Sequence, residues 1–133
     1  LLASGGFSPS DAAKTADLLV WANARGVASH GVMRIPRYIE MVELGLIKPE
    51  AKPHFASTFG ATAVLEGGKA PGAVVMSMAM SRASELAGKF GIGWCSARNI
   101  THAGAVGYFA EEATRTGRIG IACDIEAAQR RWK

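Results

Sequence analysis

Apolar residues recur at helical spacing soon after the chain begins. Ala12, Ala16, Leu19, Val20 and Ala24 follow a 3.6-residue period behind the stretch Ser8-Pro9-Ser10-Asp11. Ser8 suits a helix N-cap, Pro9 the first helical position, and Asp11 the positive first turn. The pattern predicts a helix from residue 9 to about residue 25, ended by Gly26. A second helix is predicted to begin near Ser29 or Pro36 and to carry Tyr38, Ile39, Met41, Val42 and Leu44, with Gly45 as its stop. The stretch LIKPEAKPHF holds two prolines and predicts an extended connection.

Further along, the period changes. Residues 61–65 form a short apolar run that predicts a strand, followed by a Glu66-Gly67-Gly68 turn. Residues 71–90 predict a helix whose buried stripe is Val74, Val75, Met78, Ala79, Ala83, Leu86 and Ala87. Its methionines read as flexible core filler. GIGWCSA, residues 91–97, predicts a buried strand, and residues 98–102 a polar loop. Residues 103–116 predict a helix closed by Gly117, and residues 118–123 another apolar strand. The expected fold class is therefore α/β. A helical N-terminal part over 1–58 precedes alternating strands and helices over 59–123, with a separate tail over 124–133.

Composition narrows the classes. The chain has 133 residues, 49% apolar and 20% charged, which is ordinary globular usage with enough length for one core. The net charge of +4 is scattered, apart from Arg130, Arg131 and Lys133. A nucleic-acid surface would gather that charge on one face, so no nucleic-acid partner is expected. Trp21, Trp94 and Trp132 are too dispersed for a stacking platform. Charge-free runs such as residues 70–81 fall far short of the ~20 residues that cross a bilayer, so no membrane partner is expected. Cys95 and Cys123 lie far apart among apolar neighbours and read as buried, reduced residues of a cytoplasmic protein. Metal-binding spacings such as HxH, HExxH and CxxC are absent, so no metal is expected, and His54 reads as an exposed loop residue. The chain opens LLASGGFSPSD, with neither an initiator Met nor a secretory leader pattern, and reads as starting inside a longer frame.

Two stretches carry candidate chemistry. The first is Ser29-His30-Gly31-x-x-Arg34. A histidine can give or take a proton near neutral pH. A guanidinium one helical turn later is the preferred fork for a carboxylate. Ser29 can hydrogen-bond the imidazole and fix its tautomer, and Gly31 leaves room for a small ligand. The same three residues equally suit a helix cap, a half-buried histidine and a surface charge. The second stretch runs from Arg98 to Tyr108, between a predicted strand and a predicted helix. Free N–H groups at a helix start attract phosphate, and Ala103, Gly104, Ala105, Val106 and Gly107 permit close approach. It lacks the GxGxxG fingerprint, and tight helix–strand packing with Thr101 as the cap fits it as well.

Longer stretches carry a resemblance. RGVASHGVMRIPRYIEMVELGLIKPEAKP resembles the N-terminal signature of the type-2 malate/L-lactate dehydrogenase family, and GIGWCSARNITHAGAVGYFAEEATRTGRIGIAC resembles its second signature, in the same order. The family also includes ureidoglycolate and sulfolactate dehydrogenases and cyclic ketimine reductases. The likeness runs from about residue 7 to residue 123, as an N-terminal fragment of a family chain some two and a half times longer. The tail DIEAAQRRWK departs from the family pattern.

The resemblance implies an α/β fold that is not a Rossmann fold, a homodimer, and NAD or NADP as cofactor. It implies hydride transfer between that cofactor and C2 of a small 2-hydroxy or 2-oxo acid. His30 is then the proton donor and acceptor, and Ser29 part of the relay that orients it. Arg34 grips the substrate carboxylate. His102, Ala103, Gly104, Ala105 and Val106 form a cofactor-contacting loop, with His102 also facing substrate as a second candidate for the acid/base role. The relay aspartate lies beyond residue 133, and Asp124 is not assigned to it. Three alternatives stand beside this reading: a cyclic ketimine reductase, a catalytically incomplete fragment, and a small basic module binding through its tail.

Overall fold

The computed structural model describes residues 1–125. A 3-10 turn, Ala3–Gly5, leads into helix α1, Pro9–Ala24. Two further 3-10 turns, Ala28–His30 and Val32–Arg34, lead into helix α2, Ile35–Glu43. Strands β1, His54–Phe59, and β2, Thr62–Glu66, precede helix α3, Gly72–Phe90. Strand β3, Trp94–Arg98, and helix α4, Gly107–Thr114, complete the order. The α/β expectation holds: helices come first, then a small sheet with its covering helices.

Helix α1 starts as its sequence dictates. The Asp11 N–H donates to Ser8 Oγ at 3.1 Å, and Pro9 occupies the first position. Its buried face, however, is Thr15, Leu18, Leu19 and Ala22. Val20, expected inside, is 58% exposed. The stripe is rotated because α1 is wedged between two apolar clusters. Leu19 joins Leu2, Phe7, Tyr38 and Ile47, while Leu18 joins Ala73, Ala103, Tyr108 and Phe109.

The sheet has the order β1-β2-β3. β1 and β2 form an antiparallel hairpin, with Phe59 opposite Thr62 and a register shift between Phe55 and Ser57. The expected extended connection thus ends in a strand. β1 went unpredicted because all six of its residues are exposed, so no apolar alternation marks it. It also runs across the expected division at residues 58 and 59. β2 and β3 pair in parallel, from Thr62 opposite Trp94 to Glu66 opposite Arg98, with α3 as the crossover.

α3 spans its predicted residues and packs on both sides. Val75 and Ala79 meet Leu65 on the sheet, with Cys95 and Ala97 of β3 against them. Met76 and Met80 pack toward the cluster around Leu18 and Phe109.

Three expectations need correction in this half. β3 is not a buried strand: Cys95 and Ala97 face α3, but Trp94 is 53% exposed because the other face is open. α4 begins at Gly107, not at residue 103, because Ala103 is drawn into the core and the chain only then turns helical. Residues 118–123 form no strand among the described residues. Ile119 and Ile121 stand exposed, while Ala122 packs against the Phe109 cluster. The cysteines are corrected too: Cys95 is half-buried and Cys123 exposed, both free thiols. Burial pushes the Cys95 thiol above its usual range, with Arg82 pulling it down. Arg130, Arg131, Trp132 and Lys133 lie outside the described residues.

Candidate functional site

The first candidate stretch is not one helix. It is two 3-10 turns joined at Gly31, whose backbone is extended. The joint is fixed from α1: the Val32 N–H donates to Asn23 Oδ1 at 2.7 Å. A Cβ on Gly31 would sit 2.0 Å from that oxygen. The room at Gly31 is therefore filled by Asn23 and is not left for a ligand, as the sequence suggested.

Within the turn, Ser29 Oγ lies 3.0 Å from His30 Nδ1. Arg34 Nε donates to the Ser29 carbonyl at 2.6 Å, which holds the guanidinium beside the turn and leaves its terminal nitrogens for other partners. So Ser29, His30 and Arg34 lie together at the turn, through one contact between side chains and one to the backbone.

His102 arrives at the same place from the other half of the chain. Its ring stacks on that of His30, with centroids 5.5 Å apart and planes 25° apart. Two contacts set its position. The Thr101 hydroxyl accepts the Gly72 N–H at 2.9 Å and donates to the Ala70 carbonyl at 3.0 Å. Thr101 thus caps α3, not the following helix. Gly72 lets the backbone close in, since a Cβ there would meet the His102 carbonyl oxygen at 2.2 Å.

One member of the group was missed. Tyr38 was read only as a core residue of the second helix, and it is indeed 5% exposed. Yet its hydroxyl lies 2.9 Å from His102 Nδ1. Burial holds its phenol above its ordinary pKa of 10.0, against the lowering pull of the nearby Arg34. The signal available was its place four residues after Arg34, itself four after His30.

The loop after His102 offers a partial cradle. Ala103, expected in this loop, is 1% exposed and packed in the core, so it offers no surface to a ligand. The N–H groups of Gly104, Ala105 and Val106 have no backbone acceptor among the described residues, and α4 has no side-chain cap from Val106. Free donors ahead of a helix suit the phosphates of a dinucleotide, so these residues fit NAD(P).

The hollow touching His102 and Tyr38 holds only about 10 Å³, at the limit of one water. A larger cleft of about 460 Å³ opens elsewhere, between α1, α3 and α4, lined by Lys14, Ser77, Ser84, Glu112, Arg115 and Arg118 among others. It contains none of the residues expected at the site. Among the described residues no group of three or more His, Cys, Asp or Glu side chains is placed to hold a metal. Likewise, no described helix is long and apolar enough to cross a membrane.

The fold, a helical N-terminal part beside a small mixed sheet, is shared with solved dehydrogenases. The sequence model of the malate/L-lactate dehydrogenase family matches residues 1–128, and the chain belongs to that family. The match reaches into the tail that the sequence reading set apart. L-sulfolactate dehydrogenase of Methanocaldococcus jannaschii is 39% identical over 116 residues, covering 87% of this chain and 34% of that protein. The NAD(+) ureidoglycolate dehydrogenase of Escherichia coli is 34% identical over 120 residues, covering 90% and 34%. The solved malate dehydrogenase of Pyrococcus horikoshii superposes with a TM-score of 0.84 at 36% identity, over 87% of this chain and 33% of that one. The chain spans about a third of the length of these relatives.

Proposed function

We infer that this protein is an NAD(P)-dependent oxidoreductase of small 2-hydroxy and 2-oxo acids, malate- or lactate-like. The observation that carries the reading is the stacked pair of His30 and His102, brought from the two halves of the chain beside Arg34. When bound, NAD(P) supplies or takes the hydride at substrate C2. Ser29 on Nδ1 leaves Nε2 of His30 to exchange the proton with the substrate oxygen. With Nε engaged by the Ser29 carbonyl, the terminal nitrogens of Arg34 hold the substrate carboxylate, which is a positioning contribution. His102 faces substrate and, with the backbone N–H groups of residues 104–106, the cofactor. The names of the relatives support both the hydroxy-acid substrate and, in one case, NAD.

In the full-length protein, His30→Ala is expected to cut kcat/KM for 2-oxo acid reduction at least ~100-fold. An undiminished rate would move the acid/base role to His102. Offering a cyclic imine beside the oxo acids separates the ketimine reductase alternative.

A second reading applies to this chain by itself. The chain spans about a third of the length of its relatives, so its residues alone are read as an incomplete site. Titration of the 133-residue chain with NADPH, followed by nucleotide fluorescence, is expected to show weak binding and no turnover.

Apolar side chains surround the His30 turn: Val27, Val32 and Met33 are 38%, 46% and 68% exposed. This collar supports a homodimer, which light scattering on the full-length protein measures. Both cysteines as free thiols accord with a cytoplasmic setting.

A further inference from the structure

Tyr38 carries chemistry that the roles above do not use. Its ring packs with Leu2, Phe7, Leu19 and Ile47. A buried phenol needs an acceptor for its proton. Among the described residues, the hydroxyl has one hydrogen-bond partner, His102 Nδ1 at 2.9 Å. Two arrangements satisfy that distance. If Nδ1 carried the ring proton and donated to the phenol, the buried O–H would be left unsatisfied. If the phenol donates, Nδ1 accepts and the ring proton of a neutral imidazole sits on Nε2. The second arrangement gives both the phenol and Nδ1 a partner. Burial also keeps the phenol protonated at neutral pH, so it has a proton to give.

We propose that Tyr38 is a positioning residue of the site, whose hydroxyl fixes His102 in the Nε2–H tautomer. The ring edge away from Tyr38 is then an N–H donor, beside the stacked His30 ring. A fixed N–H donor prefers an electronegative acceptor such as a carbonyl oxygen. It also divides the labour between two adjacent imidazoles: His102 polarises while His30 exchanges the proton. This rests on the reading of the site given above.

The test uses the full-length protein with 15N-labelled histidine, His102 being assigned through His102→Gln. On the alkaline side of its titration, wild-type His102 is expected to show Nε2 protonated and Nδ1 bare. Tyr38→Phe keeps the ring and removes only the hydroxyl. It is expected to shift His102 toward the Nδ1–H form and to lower kcat at least ~10-fold, the lower end for a partner that orients a histidine. KM for NAD(P)H should hold. Wild-type His102 protonated at Nδ1 overturns the proposal, and that spectrum needs no variant to fold. A tautomer unmoved by Tyr38→Phe overturns it, as does a moved tautomer with unchanged kcat. If no oxo acid or imine is turned over at all, the functional reading fails, yet the wild-type spectrum still decides the role of Tyr38.

Discussion

Single atoms place the two histidines. Asn23 Oδ1 ties the His30 turn to α1, and the Thr101 hydroxyl ties the His102 segment to the start of α3. Gly72 is the tightest of these points. Gly72→Ala puts a methyl group against the His102 carbonyl oxygen. Because that neighbour is backbone, the chain must shift, and an overpacked site of this kind costs about 1–3 kcal/mol. A thermal melt of the variant should therefore fall by several degrees. The motif Ser29-His30-Arg34 was legible because its members are local and their chemistry is specific. Tyr38 was not, because its ring obeys the apolar pattern of α2, and only a partner 64 residues away reveals what its hydroxyl does.

At the level of elements, the helices were readable and the strands less so. A helix writes its own boundaries: Ser8 and Pro9 before α1, Gly45 after α2, and Gly91 after α3. A strand depends on its neighbour. β1 exists because β2 pairs with it, and residues 118–123, with strand-like composition, pair with nothing described. The pairing of β2 with β3 carries its own pH signature. Glu66 lies opposite Arg98, and its carboxyl is held below its ordinary 4.5 by the Asn99 amide first, then by the Gly68 N–H and by Arg98. A carboxylate with a lowered folded pKa adds stability above its unfolded value and loses it as pH falls through the folded one. Melts of wild type should therefore drop more steeply below pH 4.5 than those of Glu66→Gln, and the two slopes should agree near neutrality.

Across the whole molecule, apolar surface is unevenly covered. The clusters around Leu19, Phe109 and Val75 are closed. By contrast, Ile92, Trp94, Ile119 and Ile121 are 71%, 53%, 94% and 71% exposed. Single exposed apolar residues are ordinary, but groups of them seek partners. The 133-residue chain is expected to bind the dye ANS, and Ile119→Ser with Ile121→Ser should lower the signal. Equal fluorescence in the two proteins would mean that these residues do not form the sticky surface. The fold class was legible from composition and alternating periods. The meeting of the two halves was not, because no local pattern records which loop comes to lie over which turn.

The bond between Tyr38 and His102 has a consequence for biosynthesis. A ribosome releases the chain from its N-terminus, so His30 emerges well before the segment that will hold its neighbour. Until residue 102 clears the exit tunnel, the turn around Ser29 has no aromatic wall to rest against. The stacked pair of rings therefore cannot form gradually during translation; it waits on the later segment that carries residue 102.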